Sequence, residues 1–513
     1  MDRTGEKGSI TVFLSLICIL FLALFCTVTE SARVQGARAQ TANIAGMGNF
    51  SVLGEFEKEL LDQYEIFALD GGYGTGNFGT GKVNDRLKTF LLYNAEPEQN
   101  IFSVWCFDPW KLELEDSQIQ KYALLTDEKG EPFFQQAVSF MKLNLGVEAI
   151  NALIHHKEDV SQIESWQEEY EKRKKENEKN LSNAEREGER KLQELTSAAT
   201  SNAGAAGETE ALLPEQPDVG NPLEEIAKLR RRSILSIVTG NSELSSKSMN
   251  QWSVPSHGIS KRGTMKVEKK NSGLTADLLF REYLLTYFPN YTDSEGDGCL
   301  DYQIEYIISG KAGDQKNLKS TVNRLLLLRE GMNYLYCVEN AEMSTQAGAL
   351  AITLTGFLGI PALTSATKHA LLLAWAYGES LLDLRKLLAG GKVPLLKDGT
   401  SWTLTLENLG QLTQLLDSDT QTSGSGLAYK DYLRILLNMG SLSKQKMRAL
   451  DLIQENLRKT GTTEKFKAEN CIVGIETSTS WKIRPVFFSL AQAVTGVRGD
   501  DIMVTQNGGM VYE

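Results

Sequence analysis

Two glycine-rich patterns in one loop have the spacing of nucleotide-binding motifs. The segment Gly71–Lys82 (GGYGTGNFGTGK) satisfies both G-x-G-x-x-G and G-x-x-x-x-G-K, in which glycine amides and a lysine ammonium bind phosphate oxygens. However, Val83 stands where a P-loop has the Ser or Thr that binds magnesium, and the next predicted helix begins only near Val83 instead of at the last glycine. We therefore interpret the segment as a turn and predict that the chain binds no nucleotide.

An acidic segment resembles the first half of a calcium-binding loop. Asp293–Gly298 (DSEGDG) places oxygen ligands at alternate positions and supplies a glycine for the turn. The twelfth position of the loop, where an EF-hand has a bidentate glutamate, is Ile304, and Glu305 comes one residue too late. Calcium binding is thus the less favoured alternative, and we interpret the segment as a solvated acidic turn.

The remaining candidate catalytic residues form no recognisable catalytic pattern. The four histidines have no second His or Cys at metal-ligand spacing, and no G-x-S-x-G nucleophile elbow occurs. Glu379 and Asp383 share one face of a predicted helix, whereas the two carboxylates of a glycosidase face each other across a cleft. We favour a structural role on a solvated or ion-paired helix face, although a Ser-His-Asp or Cys-His site from distant residues remains open. We predict no enzyme, no catalytic residue, no metal site and no cofactor.

Composition excludes few functions. The 513 residues suffice for two or three domains with hydrophobic cores. Acidic residues outnumber basic ones by 66 to 54, which argues against a nucleic-acid binder because phosphate contacts need clustered Lys and Arg. The wide spacing of Cys106, Cys299, Cys337 and Cys471 leaves two alternatives, one disulfide bond or buried thiols.

One segment is apolar enough to cross a membrane. Ile10–Val28 (ITVFLSLICILFLALFCTV) carries no charge, and at about 1.5 Å per helical residue it covers the roughly 30 Å hydrocarbon core. A cleavable signal peptide is the alternative because Arg3 and Lys7 precede the segment, but the apolar core of a signal peptide is usually only about 7–15 residues long. We predict a retained single-pass anchor in the cell membrane. We expect the bulk of the chain to be extracytoplasmic, since long domains are exported largely regardless of charge.

A second uncharged segment, Met343–Thr367, is also long enough to span a membrane. Its glycines, Pro361 and its many hydroxyl groups make it much less hydrophobic than the first segment. We interpret it as a buried helical hairpin broken at Gly359–Pro361. In the alternative, a second span, the C-terminus would return to the cytoplasm.

Periodicity predicts how the chain is organised. Small residues at helical spacing predict a stem helix, Glu30–Leu61, that continues the membrane helix outward. Gln162–Glu194 has Glu and Lys/Arg four residues apart and predicts an extended, solvated, charged helical arm, followed by a flexible linker at Ser197–Pro222. The predicted domains are residues 1–29 (cytoplasmic stub and anchor), 30–150 (stem and N-terminal α+β lobe), 151–222 (arm and linker) and 223–513 (C-terminal α+β domain).

The remaining segments predict an α+β fold, because helices dominate and short strands are scattered between them. Alternating apolar or β-branched residues predict strands at Tyr64–Leu69, Ile101–Phe107, Trp110–Leu114, Tyr302–Ser309, Ser401–Leu406 and Cys471–Phe488. Helical periodicity predicts helices at Val83–Tyr93, Leu278–Phe288, Asn317–Cys337, His369–Leu388 and Tyr429–Arg458.

The N-terminal region resembles a known family. Gly8–Phe13 (GSITVF), the apolar run, Thr29–Arg33 (TESAR) and the Ala/Gln-rich segment Gln35–Ala45 are similar to the TadE/TadG-like minor pseudopilins of Tad (tight adherence) pilus systems. The resemblance implies a membrane helix, an acidic residue near its outer end and a small-residue stem leading to an extracytoplasmic domain. The Glu that prepilin processing requires five residues after Gly8 is replaced by Phe13, and no D-x-S-x-S metal motif is present. Neither processing nor a metal site is therefore carried over.

Three further segments resemble an uncharacterised domain-of-unknown-function family of Gram-positive gut-type bacteria that extends this anchor. They are Tyr64–Asp70 (YEIFALD), Tyr302–Lys311 (YQIEYIISGK) and Ala374–Leu388 (AWAYGESLLDLRKLL). Together the resemblances imply a non-catalytic, membrane-anchored component or accessory of a Tad-type pilus or secretion assembly. Its expected partners are the membrane and the proteins of that assembly.

The stem supplies the interaction residues that we predict. They are Glu30, Ala32, Arg33, Gly36 and Ala39, and the Glu30 carboxylate is expected to pair with a basic group or an N-terminus of a partner. A tethered cell-envelope hydrolase or a ligand-binding sensor domain is the alternative function. A deep pocket with converging carboxylates or Ser and His would favour that alternative.

Overall fold

A computed structural model describes residues 5–95, 108–202, 221–240, 242–294, 296–417, 424–460, 463–487 and 501–512. The chain divides into two compact units. The first comprises Met1–Phe140, Ser253–Asn271 and Ile453–Glu513, and the second comprises Met141–Trp252 and Ser272–Leu452. The structure is 64% helical with a small antiparallel sheet, so the predicted α+β class is confirmed.

The first unit contains the long N-terminal helix and the sheet. Its helices are α1 (Gly5–Leu53), α2 (Lys58–Tyr64), α3 (Thr80–Ala95) and most of α4 (Asp127–Asn144). Its strands are β1 (Leu69–Asp70), β2 (Leu112–Leu124), β3 (Cys471–Ile483) and β4 (Ile502–Val511). All pairs are antiparallel, with β3 bonded to β2 along one edge and to β1 and β4 along the other.

The residue pattern of β3 decides which face of the sheet is buried. Ile475, Trp481 and Ile483 are buried and alternate with Glu476 and Lys482, which are partly exposed. A sheet with one polar face must cover its apolar face, and here α1 and α3 cover it. The remaining buried residues of this core are Ile44, Val52, Leu53, Leu69, Val83, Leu87, Leu91, Leu124 and Ile472.

Two consecutive glutamines of α4 hold extended segments in place. The Gln135 amide accepts a hydrogen bond from the Asn271 backbone N–H (2.7 Å) and donates one to the Asn271 carbonyl (2.8 Å). The Gln136 amide forms the same pair of bonds with the backbone of Phe67, at 2.8 and 2.9 Å. A glutamine amide has the donor and acceptor of a peptide group, so each side chain acts as a short strand partner for a buried backbone.

The second unit is built from helices packed around α10 and α12. The helices are α5 (Val147–Asn202), α6 (Pro222–Arg231), α7 (Ile234–Val238), α8 (Leu274–Tyr287), α9 (Gln303–Ser309), α10 (Asp314–Glu339), α11 (Ala341–Thr355), α12 (Pro361–Leu388), α13 (Leu412–Asp417), α14 (Tyr429–Met439) and most of α15 (Leu442–Lys459). The α10–α12 pair is the centre because both helices have long buried faces.

The predicted charged arm is the single helix α5, but it is not solvated on all sides. Ile163, Tyr170 and Ala184 are buried, and the Tyr170 ring lies against Gly331 of α10. Ala184 packs in a cluster that includes Leu363 of α12. These apolar positions of α5 therefore pack against the unit itself. The predicted linker at residues 197–222 lies mostly outside the described residues.

The uncharged segment Met343–Thr367 forms two helices, α11 and the first turns of α12, with the break predicted at Gly359–Pro361. Gly359 adopts a left-handed conformation (φ 63°), and Pro361 begins α12 at a position where its missing N–H is not needed. Met343, Ala347 and Ala351 are buried and α11 contacts α12, but Ile352 is 62% exposed. The helical hairpin is therefore as predicted, whereas its burial is only partial.

Several predicted strands are wrong. Tyr302–Ser309 contains helix α9, and all seven residues of the helix are buried, so the apolar spacing does not reveal its period. Ser401–Leu406 forms no strand; its apolar residues pack against α12, where the Trp375 indole donates a hydrogen bond to the Leu404 carbonyl (2.7 Å). Within Tyr64–Leu69 only Leu69 belongs to a strand. The predicted strand Ile101–Phe107 lies outside the described residues.

Candidate functional site on the stem helix

The apolar segment and the stem form one uninterrupted helix, α1. The helix ends at Leu53, so the predicted stem helix Glu30–Leu61 is eight residues too long, and the stem is residues 30–53 from here on. In Ile10–Val28 the large apolar side chains are exposed. Among the described residues, α1 is the one helix that is long and apolar enough to cross a membrane. The stem begins two residues beyond this segment, where the first buried charges occur.

Glu30 and Arg33 form a buried ion pair at the start of the stem. Their exposed fractions are 1% and 7%, and the Arg33 Nε donates to the Glu30 Oε1 at 3.0 Å. Three residues separate them on the helix, so their side chains lie on the same face. An ion pair of this burial is stable only when its remaining hydrogen-bonding groups also find partners.

Those remaining groups bind the backbone where β2 begins and where β3 has ended. Arg33 donates to the carbonyls of Trp110 (2.9 Å) and Arg484 (2.7 Å). Glu30 accepts hydrogen bonds from the backbone N–H groups of Val486 (3.2 Å) and Phe487 (2.7 Å). Glu30 and Arg33 of the TESAR segment therefore bind two distant parts of the chain, the residues before β2 and the residues after β3, to the helix just beyond its apolar segment.

The predicted interaction residues divide into two groups. Glu30 and Arg33 bind each other and the chain's own backbone. Gly36 is half-buried beneath Trp110. The two residues are so close that a Cβ at this position would lie 2.4 Å from the indole ring. Ala32 and Ala39 are exposed and have the accessibility that a partner contact requires.

The exposed side of the stem carries small residues at intervals of three and four. We call this surface the stem flank, and it consists of Ala32, Gln35, Ala39, Ala42, Gly46 and Phe50. Phe50 is 66% exposed, and the neighbouring Met47 is 43% exposed. Spacing of this kind places the residues along one line of the helix, and small side chains let another helix approach closely. The sequence predicted only part of this surface, because only burial in the folded chain shows which side of the helix faces the sheet and which side is exposed.

A second charged cluster lies in the second unit, around the Glu379 and Asp383 pair. Asp383 accepts hydrogen bonds from Arg329 (2.9 Å) and is paired with the ammonium of Lys397 (2.7 Å), and Glu379 binds the same ammonium. All four side chains are buried. Burial by itself raises the pKa of Asp383, but Arg329 and Lys397 outweigh that effect and lower it. The carboxylates are therefore ion-paired structural groups, and no pattern in the sequence indicates Arg329 and Lys397 as their partners.

Donors of the glycine-rich loop are hydrogen-bonded to acceptors within or next to the loop. The backbone N–H groups of Gly72 and Gly74 donate to the Asp70 carboxylate at 2.8 and 2.6 Å. The Lys82 ammonium donates to the Thr75 hydroxyl at 2.7 Å. The donors of the apparent motif thus stabilise the turn itself.

The ammonium group of Lys247 lies against the acidic loop that resembles a calcium site. Lys247 donates hydrogen bonds to the carbonyls of Gly296 and Gly298, and to Asp301 at 2.6 Å. An ammonium here neutralises oxygens that would otherwise need a cation or water. Among the described residues, no group of three or more metal-ligating side chains is present.

Glu305 points into the core instead of toward that loop. Its Oε1 accepts hydrogen bonds from the Tyr291 backbone N–H (3.0 Å) and the Tyr429 hydroxyl (2.8 Å), whereas its buried Oε2 has no hydrogen-bond partner among the described residues. Burial raises the pKa of Glu305 to about 7, against the opposing effect of these two hydrogen bonds.

We expect Glu305→Gln to remove a pH dependence of folding. The pKa of Glu305 is higher in the folded state than the ordinary value of 4.5, so its contribution to stability is greatest below pH 4.5 and is lost as the pH rises through about 7. Relative to the wild type, the variant should gain about 3 kcal/mol between these pH values. Urea unfolding at a series of pH values measures this difference. Glu339→Gln, at an exposed site, is the control, and identical pH profiles for E305Q and wild type would contradict the assignment.

Comparison with known proteins places the chain in a family without assigning an activity. Residues 214–483 match a family of unknown function, DUF5702. This match covers more than half of the chain and includes Glu305, Arg329, Asp383 and Lys397. No curated protein and no solved structure matches the sequence. The chain therefore belongs to the DUF5702 family of unknown function.

Proposed function

We propose that this protein is a non-catalytic, membrane-anchored component or accessory of a Tad-type pilus or secretion assembly. In this proposal α1 anchors the chain by a single span in the cell membrane, and both units are extracytoplasmic. The membrane-proximal part of the stem flank, Ala32, Gln35 and Ala39, binds a helix of another membrane-anchored subunit. The single observation that carries the proposal is the continuity of α1, because an exposed flank continues an exposed apolar segment without a break.

The energetics of helix packing support a partner on this flank. One side of the stem is fixed against the sheet, for example by the hydrogen bond between the Thr477 hydroxyl and Asn49 (2.9 Å). The stem is therefore preorganised, and a partner helix would lose little additional conformational freedom on binding it. The small Ala side chains of this part of the flank allow close backbone approach, and a partner helix in water would bury the apolar surface that they expose. The resemblance of the TESAR region to TadE/TadG-like proteins supports the choice of assembly.

A cavity between described residues of the first unit gives no support to the tethered-hydrolase alternative. It has a volume of about 190 Å³ in the first unit and is lined by Gln135, Gln136 and Asn271. The Gln135 and Gln136 amides already bind backbone groups, and Asn271 donates to the Ser139 hydroxyl (2.9 Å). These groups hold the fold together, so we do not propose that they bind a substrate.

We expect Ala39→Leu to weaken the assembly without unfolding the chain. A larger side chain on the exposed flank blocks close helix approach but contacts nothing within the chain. The measurement is affinity purification of tagged full-length protein from cross-linked native membranes, followed by mass spectrometry. The wild type should recover a pilus ATPase, platform proteins or pilin subunits, and the variant should recover them in several-fold lower yield.

Thr89→Leu is the matched control, because Thr89 is exposed on α3 away from the flank. Its recovery of partners should equal that of the wild type. Recovery of peptidoglycan-processing or signalling proteins in place of pilus components would overturn the proposed assembly and favour the tethered-enzyme or sensor alternative. Equal recovery by A39L and the wild type would remove the stem flank as the binding surface.

A further inference from the structure

The two outer edges of the sheet differ in how they resist the addition of another strand. The outer strand β2 carries the charged residues Glu113, Glu115, Asp116 and Lys121, and its pairing with β3 is interrupted by three register shifts. Its edge is also covered at Tyr122, whose carbonyl accepts hydrogen bonds from the backbone N–H groups of residues 264 and 265. Charges, irregular pairing and coverage are the usual means by which proteins block an open edge.

The strand β4 has none of these features. Ile502–Val511 (IMVTQNGGMV) contains no charged residue and no proline, and its ten residues pair with β3 without a register shift. Among the described residues, the backbone N–H and C=O groups of β4 are hydrogen-bonded to no backbone other than that of β3. An uncharged, regular edge of this length exposes donors and acceptors that match another strand.

The hydrogen-bond pattern identifies the groups that point outward. The Tyr512 N–H donates to the Val473 carbonyl at 3.0 Å, so residues of the same parity in β4 direct their backbone groups toward β3. In an antiparallel pair the intervening residues direct theirs away from the partner. Thr505, Asn507 and Gly509 therefore present N–H and C=O groups to the open edge.

We propose that the open edge of β4 binds an extended segment of another protein, which adds a fifth strand to the sheet. The stem flank borders this edge. Around the circumference of α1, Gly48 faces α3. The next residues face β4: Thr41 contacts Gln506 (3.0 Å), and Asn49 contacts Gly508. At 100° per residue, Ala42, Gly46 and Phe50 follow directly. An added strand would thus lie against small and aromatic side chains on one of its faces.

The direction of β4 excludes a second copy of this chain as the occupant, an argument that rests on the proposed membrane anchoring. Val504 packs with Ala37, and the Tyr512 hydroxyl donates to the Leu53 carbonyl, so β4 runs alongside α1 in the same direction. Two identical edges related by a twofold axis pair antiparallel, which would point the two α1 helices in opposite directions. Helices inserted in one membrane from the same side cannot adopt that arrangement.

The chemistry of the surface defines the partner segment. Apolar side chains at alternate positions would pack against Ala42, Gly46 and Phe50. Arg38 is the one charged side chain on the exposed side of the stem, because Arg33 is buried. An acidic residue of the partner at the level of Arg38 would complement it. The partner is therefore an extended, mainly uncharged segment with apolar residues on one face and an acidic residue on the membrane-proximal side.

The test is site-specific photo-crosslinking in the full-length protein in native membranes. A photoreactive amino acid is placed in turn at positions 503, 505 and 507, and the linked residues are mapped by mass spectrometry. Strand pairing predicts that the linked position moves by two residues along one segment of one other protein each time the probe moves by two. The same probe at position 118, on the outer edge of β2, should give no such series.

Matched variants test whether the backbone carries the contact. Asn507→Pro removes an N–H that points to the open edge and should abolish the crosslink at position 505, while Asn507→Ala keeps the N–H and should preserve it. Thermal unfolding of both variants verifies that the unit is folded. Crosslinks that scatter over several proteins, that join two copies of this chain, or that persist unchanged in folded N507P would overturn the inference.

These results are separable from the assembly proposal. An ordered series on a protein unrelated to pili would retain the strand site and overturn the assembly. Normal recovery of pilus proteins by N507P, together with scattered crosslinks, would overturn the strand site and retain the assembly proposal.

Discussion

Asp383→Ala is expected to lower the free energy of unfolding of the second unit by about 3–5 kcal/mol, because it leaves two buried cations with one buried carboxylate. Arg329 would lose its carboxylate acceptor at 2.9 Å, and Lys397 would lose one of its two carboxylate partners, at 2.7 Å. Water cannot replace these contacts, since the Arg329 side chain has no exposed surface. Urea unfolding of the purified protein measures the change, and hydrogen exchange of α10 and α12 locates it.

A second substitution should recover part of this loss. Arg329→Met in the Asp383→Ala background removes the cation that has lost its carboxylate and leaves the buried pair of Lys397 and Glu379 intact. Breaking a buried pair costs more than replacing both of its members, so the double variant should be more stable than D383A alone. Glu339→Ala, at an exposed site on the same helix as Arg329, should change stability by less than about 0.5 kcal/mol. A similarly small effect of D383A would contradict the structure of the cluster.

Glu30→Ala is expected to destabilise the first unit by about 3 kcal/mol, because Arg33 loses its carboxylate partner and two backbone N–H groups lose their acceptor. The effect should be strongest in the segment after β3, where Val486 and Phe487 donate to Glu30. Limited proteolysis and hydrogen exchange of residues 484–487 in detergent or nanodiscs measure it. Gln35→Ala, an exposed change on the same helix, should leave both unchanged.

This result bears on how the stem is tested in the assembly. A loss of assembly in E30A would follow from the disturbed fold alone and would not identify a partner contact of the carboxylate. Exposed residues such as Ala32 and Ala39 avoid that ambiguity, because they have no buried contact within the chain to lose. Normal proteolysis of the 484–487 segment in E30A would show that the ion pair does not hold the backbone there.

The helices were predictable where local patterns are strong. The apolar run and the small-residue stem predicted α1, and charge pairs at intervals of four predicted α5. The break before Pro361 was predictable because proline acts on its own neighbourhood and needs no distant partner. The strand predicted at Tyr302–Ser309 failed because a short segment that is buried on all sides shows neither the period of a helix nor that of a strand.

The partners of charged residues were not predictable in the same way. The sequence marked Glu379, Asp383 and Glu30 as candidates, but it did not reveal that Lys397 and Arg329 neutralise the first two, or that residues 484–487 bind the third. These contacts join segments from 18 to more than 450 residues apart. Their occurrence depends on which helices and strands become neighbours.

Interactions between near neighbours along the chain were enough to predict the apolar segment, the stem that continues it, the long charged helix and the α+β class. The three-dimensional fold pairs β3 with β2, which precedes it by more than 340 residues, and among the described residues it leaves one edge of the sheet without a further strand. It also decided which stem residues are buried. The physical reason is that propensity and periodicity act over a few residues, whereas burial and strand pairing depend on distant segments brought together by the whole fold.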